Sequence, residues 1–273
     1  MGFIRTFYGT GYATGTYAEL YDTYLAAYWA ASGDAMNKVN CAGDYEVLLD
    51  LSIPTPTHYY NFSGNLLDAT NNLHGGASGT PLYSWAKYRT GALVTGDWYV
   101  NSGGLTTMNN ATIAFWTLFS GNHINRGRTL FANVQQDVGG DSPSSMYRLY
   151  VNSANKISVK VFDTVSSDST TLTGANIVSG DWQFHVVRFD MPNKNIDYST
   201  NGSGFVTTAI SALGTLVNAS DYQSSMFGAY DGTTGIGKMD SIAFFDSPLT
   251  QDQIKALWYG GSGKHYNGVG WVV

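Results

Sequence analysis

From Tyr60 onward the chain repeatedly alternates apolar and polar side chains in short runs: Tyr147-Arg-Leu-Tyr-Val151, Lys156-Ile-Ser-Val-Lys-Val-Phe162, Phe184-His-Val-Val-Arg-Phe189 and Met239-Asp-Ser-Ile-Ala-Phe-Phe245. A period of two sends successive side chains to opposite faces of a pleat, so each run predicts a strand with one buried face. Glycine, asparagine and serine punctuate the runs, which is turn chemistry. The 32 glycines and 19 tyrosines, with only 12% charged residues, suit many short strands. At 273 residues the chain can form one large β domain or two ordinary ones. Its single cysteine, Cys41, excludes an internal disulfide framework, so stability must come from burial.

Residues 1–55 read as a separate unit. They carry both glutamates, Glu19 and Glu46, and six acidic against two basic residues, which is most of the net charge of −6. Thr16-Tyr-Ala-Glu19 is a capping box, and Tyr17, Leu20, Tyr21, Tyr24, Leu25 and Tyr28 then follow at the spacing of one helix face, with Gly33 placed to end the helix. A stripe of tyrosine offers large contact area at low entropic cost, so this face is expected to dock or oligomerise; packing on the chain's own sandwich is the equal alternative. Tyr45–Ile53 could form a strand, and Pro54-Thr-Pro-Thr57 reads as a stiff linker. At the other end, Thr250 and Gln253 form a second capping box, opening a helix that buries Ile254, Leu257 and Trp258 and stops at Gly260-Gly261.

Five segments in series resemble a known family: Tyr60–Asp68 with Asn71–Gly75; Gly91–Val100; Ala111-Thr-Ile-Ala-Phe-Trp116; Gly180–Asp190 followed by Asn195–Gly202; and the closing run Phe227–Trp258. Together, over about residues 56–273, they resemble a laminin-G-like, concanavalin A-type jelly roll. The resemblance implies an all-β antiparallel sandwich with a short C-terminal helix, preceded here by the helical segment. It also implies a surface that binds rather than reacts. Calcium is the cofactor it implies, with Asp68 in the opening segment and Asp240 on the closing strand as the positions to hold an ion; the alternative is that Asp240 accepts backbone hydrogen bonds and Asp68 caps a turn.

Hydrolytic relatives of this class place two glutamates around an aspartate on one strand, so that the alternation aims them into a single cleft. No glutamate follows Glu46, and the pairs Asp163 with Asp168 and Asp137 with Asp141 lack the alternation, so no enzymatic activity is expected. The histidines at 58, 74, 123, 185 and 265 never fall four apart and have no cysteine companion, which argues against zinc. His185, on a strand beside Trp182, reads as a core residue. Of the tryptophans, Trp116, Trp182 and Trp258 read as core, while Trp85 and Trp98 stay open.

A glycan site needs aromatic faces with polar groups around them. Loop candidates are Asn122, His123 and Arg126; Asp137 and Asp141; and Tyr230 with Asp231. Basic residues are scattered, which excludes nucleic acid as a partner, and no run approaches the ~18 apolar residues of a membrane-spanning helix. Met1–Tyr8 lacks the charged-then-apolar pattern of a signal peptide, so export by the general secretory route is not expected. The layout resembles bacteriophage structural proteins: a homo-oligomeric capsid decoration, fibre or tail-associated subunit of the virion, docked to other virion proteins through residues 1–55. A free bacterial lectin is the alternative, and a glycoside hydrolase a distant third.

Overall fold

The computed structural model describes residues 53–88, 92–101, 110–119, 129–135, 147–162, 169–210, 222–226 and 237–272. The expected N-terminal helix with its capping box, Glu19, Glu46 and Cys41 all lie outside the described residues. Among the described residues fifteen strands and one α-helix follow in order: β1 His58–Tyr60, β2 Gly76–Ser84, β3 Ala92–Asn101, β4 Asn110–Phe119, β5 Thr129–Gln135, β6 Tyr147–Val151, β7 Lys156–Phe162, β8 Ser169–Asn176, β9 Trp182–Asp190, β10 Asn195–Thr200, β11 Val206–Ala209, β12 Tyr222–Met226, β13 Gly237–Phe245, α1 Gln251–Trp258, β14 His265–Tyr266 and β15 Trp271–Val272.

The main sheet runs β11-β10-β9-β4-β13-β3-β12-β5-β6-β7-β8, with β1 added on β13 and β2 on β3, and its pairings are antiparallel. Its two ends fold back on each other, β8 packing against β10 and β11, which closes a sandwich. Between the layers lies a dry core of Tyr60, Phe115, Phe119, Tyr147, Leu149, Val159, Leu172, Val187, Phe189, Met239 and Phe244. His185 sits inside it. Its Nε2 is 2.7 Å from Thr117 Oγ1 and its Nδ1 2.8 Å from the Tyr198 hydroxyl, so a neutral ring can donate on one side and accept on the other. Burial pushes its pKa down to about 3, which is the signature of a core histidine rather than a base.

The other face of β4, β9 and β13 is covered too. Trp116, Phe184, Ala243 and Phe245 pack beneath Leu249, Ile254 and Leu257 of the helical segment and beneath Tyr266 and Trp271 of the β14–β15 hairpin. Helix α1 starts at the expected capping box, with Thr250 accepting from Gln253 N and the Gln253 side chain accepting from Thr250 N. It ends one residue before the two glycines, at Tyr259, which adopts the left-handed conformation itself at φ 44°. Arg188 ties this layer down. Its Nε and Nη2 lie 2.8 and 2.7 Å from the buried Asp197 Oδ2, Nη1 donates to Leu249 O, and the guanidinium stacks 4.0 Å from the Phe205 ring centroid. The Pro54–Thr57 stretch, read from sequence as a linker, is fastened at both ends: Trp271 Nε1 donates to Pro54 O and Thr57 N to Phe244 O, with Ile53 buried.

One sequence expectation is corrected on β13. Strict alternation from Met239 to Phe245 would put Met239, Ser241, Ala243 and Phe245 on one face. A bulge between Asp240 and Ala243, with Ser241 at φ 51°, shifts the phase instead. Met239, Ile242 and Phe244 therefore face the dry core while Asp240, Ala243 and Phe245 face outward.

Candidate functional site

The expected loop residues Asn122, His123, Arg126, Asp137, Asp141, Tyr230 and Asp231 lie outside the described residues, as do the docking residues Tyr17, Leu20, Tyr21, Tyr24, Leu25 and Tyr28. Asp68 and Asp240 are described, and they differ sharply. Asp68 is buried with both oxygens filled: Oδ1 accepts from Tyr59 N, Thr70 N and Thr70 Oγ1, and Oδ2 accepts from Leu73 N and lies 2.9 Å from His58 Nδ1. Burial alone would raise its pKa, but these bonds outweigh it and hold the carboxyl at about 2. This is a carboxylate that closes a turn. A ring of N–H and O–H donors presents positive ends to the oxygens, so the arrangement does not fit a calcium ion, which needs oxygen lone pairs around it.

Asp240 is fully buried on the outer face of β13. Its Oδ2 accepts from Tyr88 N at 3.0 Å and its Oδ1 from Ser241 Oγ at 3.1 Å. Burial pushes its pKa up to about 6 despite these bonds, so this carboxylate is under-compensated. It lines a pocket of about 150 Å³ with Asn61, Tyr88, Ser241, His265 and Asn267. The Tyr88 hydroxyl is buried there without a hydrogen-bond partner, while its ring stands edge-on to Trp116 at 6.1 Å and lies 5.5 Å from the His265 ring. Gly263, at φ 76°, lets the chain pass close to Tyr88, because a Cβ at that position would overlap the Tyr88 hydroxyl and the Trp116 ring. Around Asp240 one carboxylate stands among hydroxyl, amide and imidazole groups, so the described lining offers a single acidic ligand where a calcium site takes several. Among the described residues no group of three or more His, Cys, Asp or Glu side chains could hold a metal.

An aromatic corner adjoins the pocket. Lys238 on β13 pairs with Leu118 on β4, which pairs with Trp182 on β9, so the three form one row across the outer face. Trp85, just past β2, is 61% exposed and stands at 80° to Trp182 with 6.2 Å between centroids. The Lys238 ammonium lies 3.4 Å from the Trp85 ring centroid and donates to Ser84 Oγ at 3.0 Å. The short segment from Trp85 to Tyr88 links the two features: Trp85 faces solvent, Lys87 Nζ lies 4.5 Å from the Trp116 centroid and donates to Gly261 O, and Tyr88 enters the pocket. Lys238 and Asp240 are two residues apart on one face, about 7 Å along the strand.

Sequence reasoning left Trp85 open and assigned Trp182 to the core, where it is only half-buried. It singled out neither Tyr88, Lys238 nor His265. The one local signal is the polar pair Lys238 and Asp240 on either side of Met239; nothing in the sequence joins it to residues 85–88.

The fold agrees with comparisons to known proteins. The profile described as "Concanavalin A-like lectin/glucanases superfamily" matches residues 93–255. The chain belongs to that superfamily. Among solved structures this lectin-like domain is similar to the receptor binding domain of botulinum neurotoxin D, at 14% identity and TM-score 0.61 over 76% of this chain and 52% of the toxin chain. It is also similar to the botulinum neurotoxin serotype G binding domain, at 14% identity and TM-score 0.58 over 75% and 51% of the two chains. Domain 4 of AbnA, a GH43 extracellular arabinanase from Geobacillus stearothermophilus solved in complex with arabinotriose, matches at 15% identity and TM-score 0.56 over 74% of this chain and 97% of that one. The concanavalin A-like chain thus spans about half the length of the toxin binding domains, and at these identities the likeness is one of fold. No curated protein sequence matches it.

Proposed function

We propose that this is a non-enzymatic glycan-binding protein of a virion surface, of the bacteriophage type, in which the lectin-like domain faces outward and residues 1–55 grip the particle. The observation that carries the binding part is the exposed Trp85 ring, held on a rigid sheet edge beside Trp182, with a polar pocket next to it. A pyranose or furanose ring presents an apolar C–H face that stacks on indole, while its hydroxyls seek polar groups alongside. The arabinotriose complex of the similar AbnA domain supports the same use of the fold. The non-enzymatic reading rests on the sequence, which has no glutamate after Glu46 for the paired carboxyl groups that glycoside hydrolysis takes; among the described residues Asp240 is the one carboxylate that lines the pocket. Virion display is supported by the spacing of Tyr17, Tyr21, Tyr24 and Tyr28 in the sequence, a pattern that suits an interface.

Isothermal titration of the intact chain against a panel of neutral and charged polysaccharides tests the first part, with Trp85→Ala expected to weaken binding about tenfold or more while the thermal midpoint holds. Retained affinity in that variant would refute the site. Release of reducing ends from a bound polymer would refute the non-enzymatic reading. Co-sedimentation of the chain with assembled particles through high salt tests the virion role, and a chain that stays in the soluble fractions would favour a free lectin.

A further inference from the structure

We infer that the glycan taken on the Trp85–Trp182 corner is acidic, with the Lys238 ammonium binding its carboxylate or sulfate; this deepens the glycan-binding reading and rests on it. Lys238 is positioned rather than free to wander. Its ammonium is held over the Trp85 ring by the cation–π contact, by Ser84 Oγ and by a longer contact of 3.4 Å to Trp85 O. Those contacts leave donor capacity, because an ammonium carries three protons and the carbonyl contact is weak. Among the described residues no carboxylate lies within ion-pair distance of it. Asp181, exposed in the turn before Trp182, forms no such pair, and the nearest acid along β13, Asp240, is buried and held by Tyr88 N and Ser241 Oγ.

The second ammonium of this face, Lys87, sits on Trp116. Lys87 has the charge of the buried Asp240 near it, whereas Lys238 has no carboxylate within ion-pair distance among the described residues. An ammonium already fixed over one face of the Trp85 ring costs little further ordering when an anion arrives, and a charge-assisted hydrogen bond exceeds a neutral one. A neutral sugar would use the stacking face and leave that donor unspent.

The test is titration of the intact chain with polygalacturonate and with the same polymer after carboxyl reduction, alongside dextran sulfate and dextran. An acidic polymer is expected to bind about tenfold or more tightly than its neutral counterpart at low salt. That preference should fall as salt rises and should be lost in Lys238→Gln and in Lys238→Met, which keeps the aliphatic stem on Trp85. Preference within the first pair identifies a carboxylate, and within the second pair a sulfate; either supports the inference. Equal affinity within both pairs, or a preference indifferent to Lys238, overturns it while glycan binding stands. No binding to any polymer of the wider neutral and charged panel overturns both.

Discussion

Two buried aspartates on one domain show opposite physics. Asp68 is wrapped by five donors and held at a pKa of about 2, whereas Asp240 has fewer donors, and burial lifts it to about 6. The first carboxylate stabilises the fold at neutral pH. The second costs stability there, and strained or under-compensated groups concentrate where a surface has another use. Asp68 ties β1 to the loop that follows it; Asp240 sits at a bulge, beneath a pocket, two residues from the lysine of the aromatic corner.

The largest expected effect breaks the comparison on the Asp68 side. Asp68→Asn leaves at least one of the backbone donors of Tyr59, Thr70 and Leu73 unmatched and strands His58, so it is expected to destabilise by about 3 kcal/mol in urea unfolding at pH 7. The parent protein should show the matching acid limb. A carboxyl with a depressed folded pKa contributes stability above its unfolded value near 3.8, and that contribution is lost as pH falls through about 2.

Asp240→Asn should do the reverse. A carboxyl whose folded pKa is raised contributes its stability below about 3.8 and loses it as pH rises through about 6. The variant should therefore match the parent at pH 4 and exceed it by about 2 kcal/mol at pH 8. Only the difference between variant and parent is diagnostic, because neutral His185 imposes an opposite slope, its stabilisation being lost as pH drops from 6.5 towards about 3. A variant that loses stability at pH 8 as Asp68→Asn does would make the two carboxylates equivalent and end the argument for Asp240.

Smaller effects sharpen the contrast between the covered and open parts of the outer face. Trp85→Ala should change stability by no more than about 0.5 kcal/mol, since the ring is mostly exposed, whereas Trp116→Ala beneath Tyr88 and Lys87 should cost about 3 kcal/mol or more. Thermal melts of the two variants decide this. Smallest of all is the response to calcium. With five donors filling Asp68, and Asp240 the one carboxylate in the described pocket lining, any shift in midpoint on adding calcium should be the same in the parent and in the Asp68 and Asp240 variants.

The strands were readable because their cause is local. Tyr147–Val151 and Lys156–Phe162 have the bounds that their alternation predicts, and Asn201 and Gly202, both at positive φ, make the turn that an Asn-Gly pair favours. The capping box of Thr250 reaches only to Gln253. The site was not readable, because Tyr88 N meets Asp240 across 152 residues and Lys238 meets Ser84 across 154. No periodicity reports such a meeting. The glycan candidates chosen from sequence lie outside the described residues; the corner joins the exposed Trp85, the half-buried Trp182 and a strand lysine, residue types that sequence alone does not link to one another.

By itself, then, the sequence determined the class of elements, their turns and the closing helix, since period, propensity and caps act over a few residues, while the antiparallel sandwich followed from the family resemblance. Tertiary structure decided the phase of β13, the unequal surroundings of Asp68 and Asp240, and the meeting of Trp85, Trp182 and Lys238. Those depend on a bulge of one residue and on register between strands far apart in the chain, where one step of slip would send every side chain to the other face.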